Sequence, residues 1–129
     1  MIVYKDQFIK TMIDLGVEHS ELSIVDDEVG IPTSSSELAK SLKYLIENEK
    51  KFKPGIYHAV CEGHCSRYDE AAKIFEVLNM NIKLNRIKLE DFSRPARVPN
   101  YSILLNTKLP KLPKWDDALT AFLREKYIT

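Results

Sequence analysis

The most distinctive segment of this sequence is Phe92-Ser93-Arg94-Pro95-Ala96-Arg97-Val98-Pro99-Asn100-Tyr101-Ser102. Pro95 and Pro99 fix their own φ and push the residues before them towards extended geometry, so the segment is neither a helix nor an ordinary strand. It therefore holds Arg94 and Arg97 on a stiff track. Planar guanidinium groups held in fixed directions suit a phosphate or a carboxylate. The alternative, which the spacing leaves open, is a surface connection with two solvated arginines.

On both sides of this proline-arginine track (residues 92–102), apolar residues recur with the spacing of helices or of strands. The predicted helices cover residues 6–15, 34–50, 66–78 and 115–123, and the predicted strands cover residues 22–25, 55–60 and 82–87. Helices and strands alternate along the chain. This order predicts a single α/β domain over residues 1–129, with about four helices and three to four short strands.

Burial can be predicted for several of these elements. The segment Gly55-Ile56-Tyr57-His58-Ala59-Val60 is a nearly continuous apolar run, typical of a strand that is buried on both faces. The three longer helices have inward stripes, made of Leu38, Leu42, Leu45 and Ile46 in the second, Ala71, Ala72, Phe75 and Leu78 in the third, and Trp115, Leu119, Phe122 and Leu123 in the last.

The ends of the helices have recognisable signals. Gly16 is a plausible stop for the first helix. Ser34 with Glu37 three residues later predicts a capping box for the second helix, and Ser66 with Asp69 predicts a capped start for the third.

Composition and charge limit the classes of function. Of the 129 residues, 44% are hydrophobic and 29% charged, as in an ordinary globular domain, and the net charge of zero argues against general nucleic-acid binding. Residues 1–30 are acidic, however, and residues 83–114 are basic. This asymmetry predicts a local anion site or pairing between the two halves. With no signal peptide, no membrane span and two cysteines, a cytoplasmic location is expected.

Three clusters raise alternative chemistries. Cys61, His64 and Cys65 could ligate zinc, but a structural site needs four ligands and no second pair exists, so a tight loop is preferred. A Cys–His nucleophile pair stays open, although nothing in the sequence orients the base. The run 26–28 of three carboxylates lacks the alternate spacing of a calcium loop and predicts a solvated turn.

Several short motifs indicate which protein family the chain resembles. They are Val29-Gly30-Ile31-Pro32-Thr33, Gly55-Ile56-Tyr57-His58, Cys65-Ser66-Arg67-Tyr68 and the track Arg94-Pro95-Ala96-Arg97-Val98-Pro99. Together and in this order, they resemble the C-terminal part of dTDP-4-dehydrorhamnose reductases, which are extended short-chain dehydrogenases. There are two departures: Arg67 stands where that family often has an aromatic residue, and Val98 stands where a second arginine often precedes the proline.

The resemblance implies a substrate-binding subdomain with terminal elements of the Rossmann sheet, while the cofactor-binding Rossmann half is absent. The parent protein would reduce the 4-keto group of a nucleotide sugar with NADPH or NADH for rhamnose synthesis. This chain would then bind no cofactor and no metal, and would contribute no catalytic residue. Its expected partners are the nucleotide sugar and the missing N-terminal half, with a homodimer as a further option and no nucleic acid or membrane.

By position in the family motifs, the resemblance also implies the substrate-binding residues. Val29, Gly30, Pro32 and Thr33 would line the pocket, and the side chains that would approach it are those of Arg94, Arg97 and Tyr101.

The sequence leaves two other functions open. The chain could be a non-catalytic binding or regulatory module of the same fold, like the regulatory subunit of methionine adenosyltransferase. It could also be part of another nucleotide-sugar epimerase or dehydratase, although the proline-arginine track argues against that. A G-x-G-x-x-G turn and a Tyr-x-x-x-Lys pair upstream would favour the enzyme.

We predict that the chain alone has no reductase activity, because its glycines cannot form a dinucleotide-binding turn and no tyrosine precedes a lysine by four positions. The absorbance of reduced nicotinamide, followed with a dTDP-4-keto sugar and either cofactor, measures this. Cofactor oxidation above that of a sample without protein would contradict the prediction.

Overall fold

The computed structural model of this protein describes residues 7–91 and 95–128. Within those ranges the chain forms helices and short strands in alternation, as the sequence predicts. The helices are α1 (Gln7–Glu18), α2 (Ser35–Glu47), α3 (Arg67–Val77) and α4 (Trp115–Tyr127), and the strands are β1 (Glu21–Val25), β2 (Val29–Gly30), β3 (Cys65–Ser66) and β4 (Lys83–Ile87). None of the described helices has the length and apolarity to cross a membrane.

The strands form two small sheets. β1 and β4 pair in parallel, from Glu21 opposite Lys83 to Val25 opposite Ile87. A parallel pair needs a long crossover connection, and here β2, α2, β3 and α3 lie between the two strands in the chain. β2 and β3 pair antiparallel over two residues each. The strands predicted over residues 22–25 and 82–87 are therefore confirmed.

The main core lies between α1, α3, α4 and β1. Its buried members are Met12, Ile24, Ala71, Ile74, Phe75, Leu119 and Leu123. Ile74 and Leu123 are completely inaccessible to solvent. The predicted stripe residues of α3 and α4 lie in this core or at its margin, with the exception of Ala72, which is half-buried and not part of it.

Gly16 does not end α1, which continues to Glu18. A Cβ atom at position 16 would lie 2.7 Å from Cε of Met80 and 2.8 Å from Cε1 of Phe75. The glycine therefore allows α1 to approach two side chains more closely than any larger residue could. The role of Gly16 is tight packing, and the prediction that it ends the first helix is wrong.

The two predicted capping boxes have opposite outcomes. At Ser66 the box is present, because the Ser66 N–H donates to Oδ2 of Asp69 and the Asp69 N–H donates to Oγ of Ser66, both at 3.0 Å. At Ser34 the prediction is wrong, since the side chain makes no capping hydrogen bond. The Glu37 carboxylate there accepts instead from Lys40 Nζ at 2.7 Å.

Residues 55–60 do not form the buried strand that their apolar sequence predicts. None of the described residues pairs with this segment in a sheet, and Ile56 is 74% exposed. Its carbonyl oxygen accepts a hydrogen bond from Lys108 Nζ at 2.9 Å. An apolar run becomes a buried strand only where neighbouring strands supply hydrogen-bond partners and cover, and the described parts of the chain supply neither here.

The stripe of α2 (Leu38, Leu42, Leu45 and Ile46) is also not buried as predicted. The helix has no buried residue, and Leu42 and Ile46 are 51% and 74% exposed. A different side of the helix, with Ser41 and Tyr44, faces residues 109–112 across a small cavity. The helix therefore forms with Leu42 and Ile46 of its apolar stripe open to solvent, while Leu38 and Leu45 are half-buried.

We predict that Leu123→Ala lowers the free energy of unfolding by about 2–5 kcal/mol, because it leaves a cavity in the core. Leu42→Ala removes the same atoms from an open helix face and should cost less than about 1 kcal/mol. Urea unfolding followed by circular dichroism compares them. Equal losses would show that the α2 face is covered in solution.

Candidate functional site

A cavity of about 320 Å³ lies between β2 with its following loop, the start of α3 and the end of the proline-arginine track. Its size is within the range of small-molecule sites, about 300–1,000 Å³. The lining residues are Glu28, Val29, Gly30, Ile31, Pro32, Cys65, Arg67, Glu70, Val98, Pro99 and Ser102.

Backbone hydrogen bonds of Val29 bring these segments together. Its N–H donates to the Asn100 carbonyl at 2.7 Å, and its carbonyl accepts from the Ser102 N–H at 2.9 Å. On its other side, Val29 is opposite Ser66 in the β2–β3 pair. β2 therefore lies between the end of the track and the start of α3, and it forms the middle of the cavity wall.

One wall carries a network of three charged side chains. Arg67 Nη1 donates to Oε2 of Glu70 at 3.2 Å, and Arg67 Nε lies 3.6 Å from Oε1 of Glu28. The guanidinium also lies over the Phe8 ring, 5.0 Å from its centroid. Burial raises the pKa of the Glu70 carboxyl above its ordinary value, although Arg67 acts in the opposite direction.

The cysteines are not activated. Both are buried and free. Burial raises the pKa of Cys65, on the cavity wall, to about 12, and burial also raises the pKa of Cys61. Both are therefore thiols at neutral pH, whereas nucleophilic attack and metal ligation need the thiolate. The described residues contain no group of three or more histidine, cysteine or acidic side chains that could hold a metal ion.

A sequence model of the family described as RmlD substrate binding domain matches residues 2–128. The chain belongs to the RmlD substrate-binding domain family. It is 33% identical over 138 residues to the dTDP-4-dehydrorhamnose reductase of Escherichia coli (strain K12), covering 96% of this chain and 46% of that protein. The resemblance inferred from the sequence motifs is thus confirmed.

Solved structures give the same result for the fold. A dTDP-4-dehydrorhamnose reductase from Clostridium acetobutylicum superposes with a TM-score of 0.83 at 38% identity, over 92% of this chain and 43% of that one. The enzyme from Bacillus anthracis, solved in complex with NADP, has a TM-score of 0.84 at 34% identity with the same coverage. The α/β fold is confirmed, and this chain spans less than half the length of these relatives.

In this RmlD substrate-binding domain, three of the predicted pocket residues, Val29, Gly30 and Pro32, line the cavity. Thr33 is not among the lining residues. Its hydroxyl accepts from the Cys61 N–H at 3.3 Å and donates to the Ile31 carbonyl at 3.4 Å. Thr33 therefore stabilises the loop after β2 without being part of the cavity lining.

Arg97 and Tyr101, two of the three track residues predicted to approach the pocket, lie outside its described lining. Arg97 is exposed, next to the lining residue Val98. Tyr101 is 67% exposed, and its ring centroid is 6.5 Å from that of His64. Arg94 is outside the described residues. Substrate contacts by all these residues stay predictions.

Sequence reasoning missed the charged network. In the sequence, Arg67 stands out only as a departure from the family pattern, and nothing marks Glu70 as a buried residue. The available signal was their spacing, since residues three apart on a helix are neighbours. Glu28 could not be joined to them from the sequence, because only the fold brings it beside Arg67.

The acidic turn before β2 is bonded to two other segments of the chain, so the prediction of a solvated turn is wrong. Asp26 accepts from Lys88 Nζ at 2.9 Å and lies 3.8 Å from Nη1 of Arg86. The Asp27 carbonyl accepts from Asn100 Nδ2 at 3.1 Å. The predicted pairing between the acidic and basic halves is thus present at Asp26.

We predict that Glu70 makes stability fall as pH rises. Its pKa is raised above the ordinary 4.5, so the native state binds a proton more tightly than the unfolded state. This stabilisation is complete at low pH and is lost as pH rises from 4.5 through the raised value.

Urea unfolding of the wild type and Glu70→Gln, between about pH 4 and pH 8, measures this difference. The wild type should lose stability relative to Glu70→Gln across that window. Glu90→Gln, which removes an exposed carboxylate, is the control. A relative gain of stability with rising pH would mean that the Arg67 ion pair outweighs desolvation.

Proposed function

We propose that this chain is the nucleotide-sugar-binding part of a dTDP-4-dehydrorhamnose reductase, which reduces a 4-keto group with NADPH or NADH in the synthesis of dTDP-L-rhamnose. The observation that carries the proposal is the cavity between β2 and the end of the proline-arginine track, in a member of the RmlD substrate-binding domain family. The names of the relatives supply the substrate class.

The chain's own part in the reaction is to bind and orient the sugar nucleotide. Backbone pairing fixes the cavity wall at Val29, and Thr33 holds the loop that follows. The nicotinamide cofactor, when bound by the parent protein, supplies the hydride. Because the sequence has neither a G-x-G-x-x-G turn nor a Tyr-x-x-x-Lys pair, we assign cofactor binding and proton donation to another part of that protein.

We propose that the proline-arginine track binds the diphosphate of the ligand. Arg97 is exposed and directly precedes Val98 and Pro99, which line the cavity. A ligand whose sugar end enters the cavity would thus place its diphosphate near this guanidinium. Arginine suits this role because its planar fork can donate two hydrogen bonds to a phosphate.

The missing half of the parent protein would cover the open apolar surfaces. Leu42 and Ile46 of α2 and Ile56 of the unpaired segment are each at least half exposed. Contiguous exposed apolar surface commonly marks an interface. We propose that the N-terminal half of a protein of the relatives' length packs there, with a second copy of this chain as the alternative. A cytoplasmic location stays a prediction of the sequence.

Calorimetric titration of the chain with dTDP and with dTDP-L-rhamnose tests this function. Arg97→Ala should lower the affinity for both ligands, because it removes a charge-assisted contact to the diphosphate that they share. The loss of about 1.5–3 kcal/mol corresponds to a ten- to hundredfold weaker affinity.

Arg86→Ala is the matched control, because that guanidinium pairs with Asp26, lies over the Tyr68 ring and is not part of the cavity lining. If the folded wild-type chain binds neither ligand, the proposed function fails. If it binds both and Arg97→Ala binds equally well, the track is only a structural connection.

A further inference from the structure

We infer that Trp115 is a positioning residue for the proposed ligand cavity, although it is not among the described residues that line it. Its ring holds the loop of residues 61–64 against the start of α4, and this loop leads directly into β3, whose Cys65 lines the cavity. The inference rests on the proposed function, and it adds a side chain that controls ligand affinity without touching the ligand.

The backbone of this loop is tied to the residues that precede α4. The Glu62 N–H donates to the Pro113 carbonyl, and the Trp115 N–H donates to the Glu62 carbonyl, both at 3.0 Å. These two hydrogen bonds form an isolated parallel bridge between Glu62 and Lys114. The loop before β3 and the start of α4 are therefore held in register, and Trp115 is placed beside residue 63.

Gly63 makes room for the Trp115 ring. Its φ of +84° lies in the left-handed region, which glycine adopts without the steric cost that a side chain brings. A Cβ atom at this position would also lie 3.1 Å from Cδ1 and 3.6 Å from Nε1 of Trp115. The ring is therefore packed directly against the loop backbone, and both the conformation and the space at position 63 favour glycine.

The Trp115 ring also joins two hydrophobic clusters. It packs at the margin of the main core and at the margin of a second, smaller cluster. The buried members of the second cluster are Cys61, Leu112 and Ala118. Among the residues that the structure describes, Trp115 is the only one at the margin of both clusters. Ile31, which lines the cavity, packs against the second cluster as well. Trp115 thus connects the main core to the cavity wall through one cluster and one loop.

A shift of the loop would change the shape of the cavity. Cys65 follows Gly63 by two residues and is opposite Gly30 of β2, which also lines the cavity. A displacement at Gly63 would therefore reach both strands over a few bonds. A wall that is already held in place loses little freedom on ligand binding, whereas a loosened wall must first be ordered and binds more weakly.

The test compares two variants on the same helix, Trp115→Leu and Phe122→Leu. Both residues are aromatic and pack at the margin of the main core, but only Trp115 also contacts the second cluster and Gly63. Calorimetric titration with dTDP-L-rhamnose measures the affinity, and circular dichroism verifies that each variant is folded. We expect Trp115→Leu to weaken binding by about three- to tenfold, the entropic cost of ordering one further side chain. Phe122→Leu should bind like the wild type.

Gly63→Ala changes the same contact from the other side. The added methyl group would displace the Trp115 ring, so we expect the affinity to fall by a similar factor. In the Trp115→Leu background the same substitution should cost less affinity, because the ring that it displaces is absent. The chain has one tryptophan, so its fluorescence reports on this ring alone. The emission maximum of Gly63→Ala should differ from that of the wild type, with the same helical circular dichroism signal.

Equal affinity of the wild type, Trp115→Leu and Gly63→Ala for dTDP-L-rhamnose overturns the inference. An equal loss of affinity in Phe122→Leu overturns it as well, because the loss would then follow the general stability of α4. If Trp115→Leu does not fold, Trp115→Phe, which keeps an aromatic ring, takes its place with the same expected direction. If the wild type itself does not bind dTDP-L-rhamnose, the proposed function has failed, and this inference fails with it.

Discussion

The arrangement of this domain depends on the backbone of Val29. Its N–H and carbonyl are hydrogen-bonded to Asn100 and Ser102, and on the other side it pairs with Ser66. Two residues of strand thereby join the track, the loop after β1 and the start of α3. These backbone bonds do not depend on side-chain identity, so they define the cavity while leaving its lining free to differ between relatives.

A single acidic run connects this site to the rest of the fold. Asp26 pairs with basic side chains of and after β4, Asp27 holds Asn100, and Glu28 lies beside Arg67. Consecutive side chains in an extended segment point in different directions, so neighbouring carboxylates reach different partners. The same three residues therefore tie the parallel sheet to the track and supply one charge of the cavity wall.

The domain is packed on one side and open on another. α1, α3, α4 and β1 enclose a core in which Ile74 and Leu123 are fully buried. By contrast, α2 keeps an open apolar face, and residues 55–60 have no strand partner among the described residues. This division agrees with the proposal that the chain is one part of a protein of the relatives' length, with the open side turned towards the rest.

The sequence by itself determined the α/β class, the strands 22–25 and 82–87, the Ser66 capping box and the family, because these depend on local spacing or on motif order. Only the tertiary structure decided what lies beside each element. The apolar composition of residues 55–60 predicts that the segment is buried, but it does not identify the segment that would pack against it. Likewise, Glu28 is distant from Arg67 in sequence, and backbone pairing between β2 and β3 brings them together, an interaction that leaves no periodic signal in the chain.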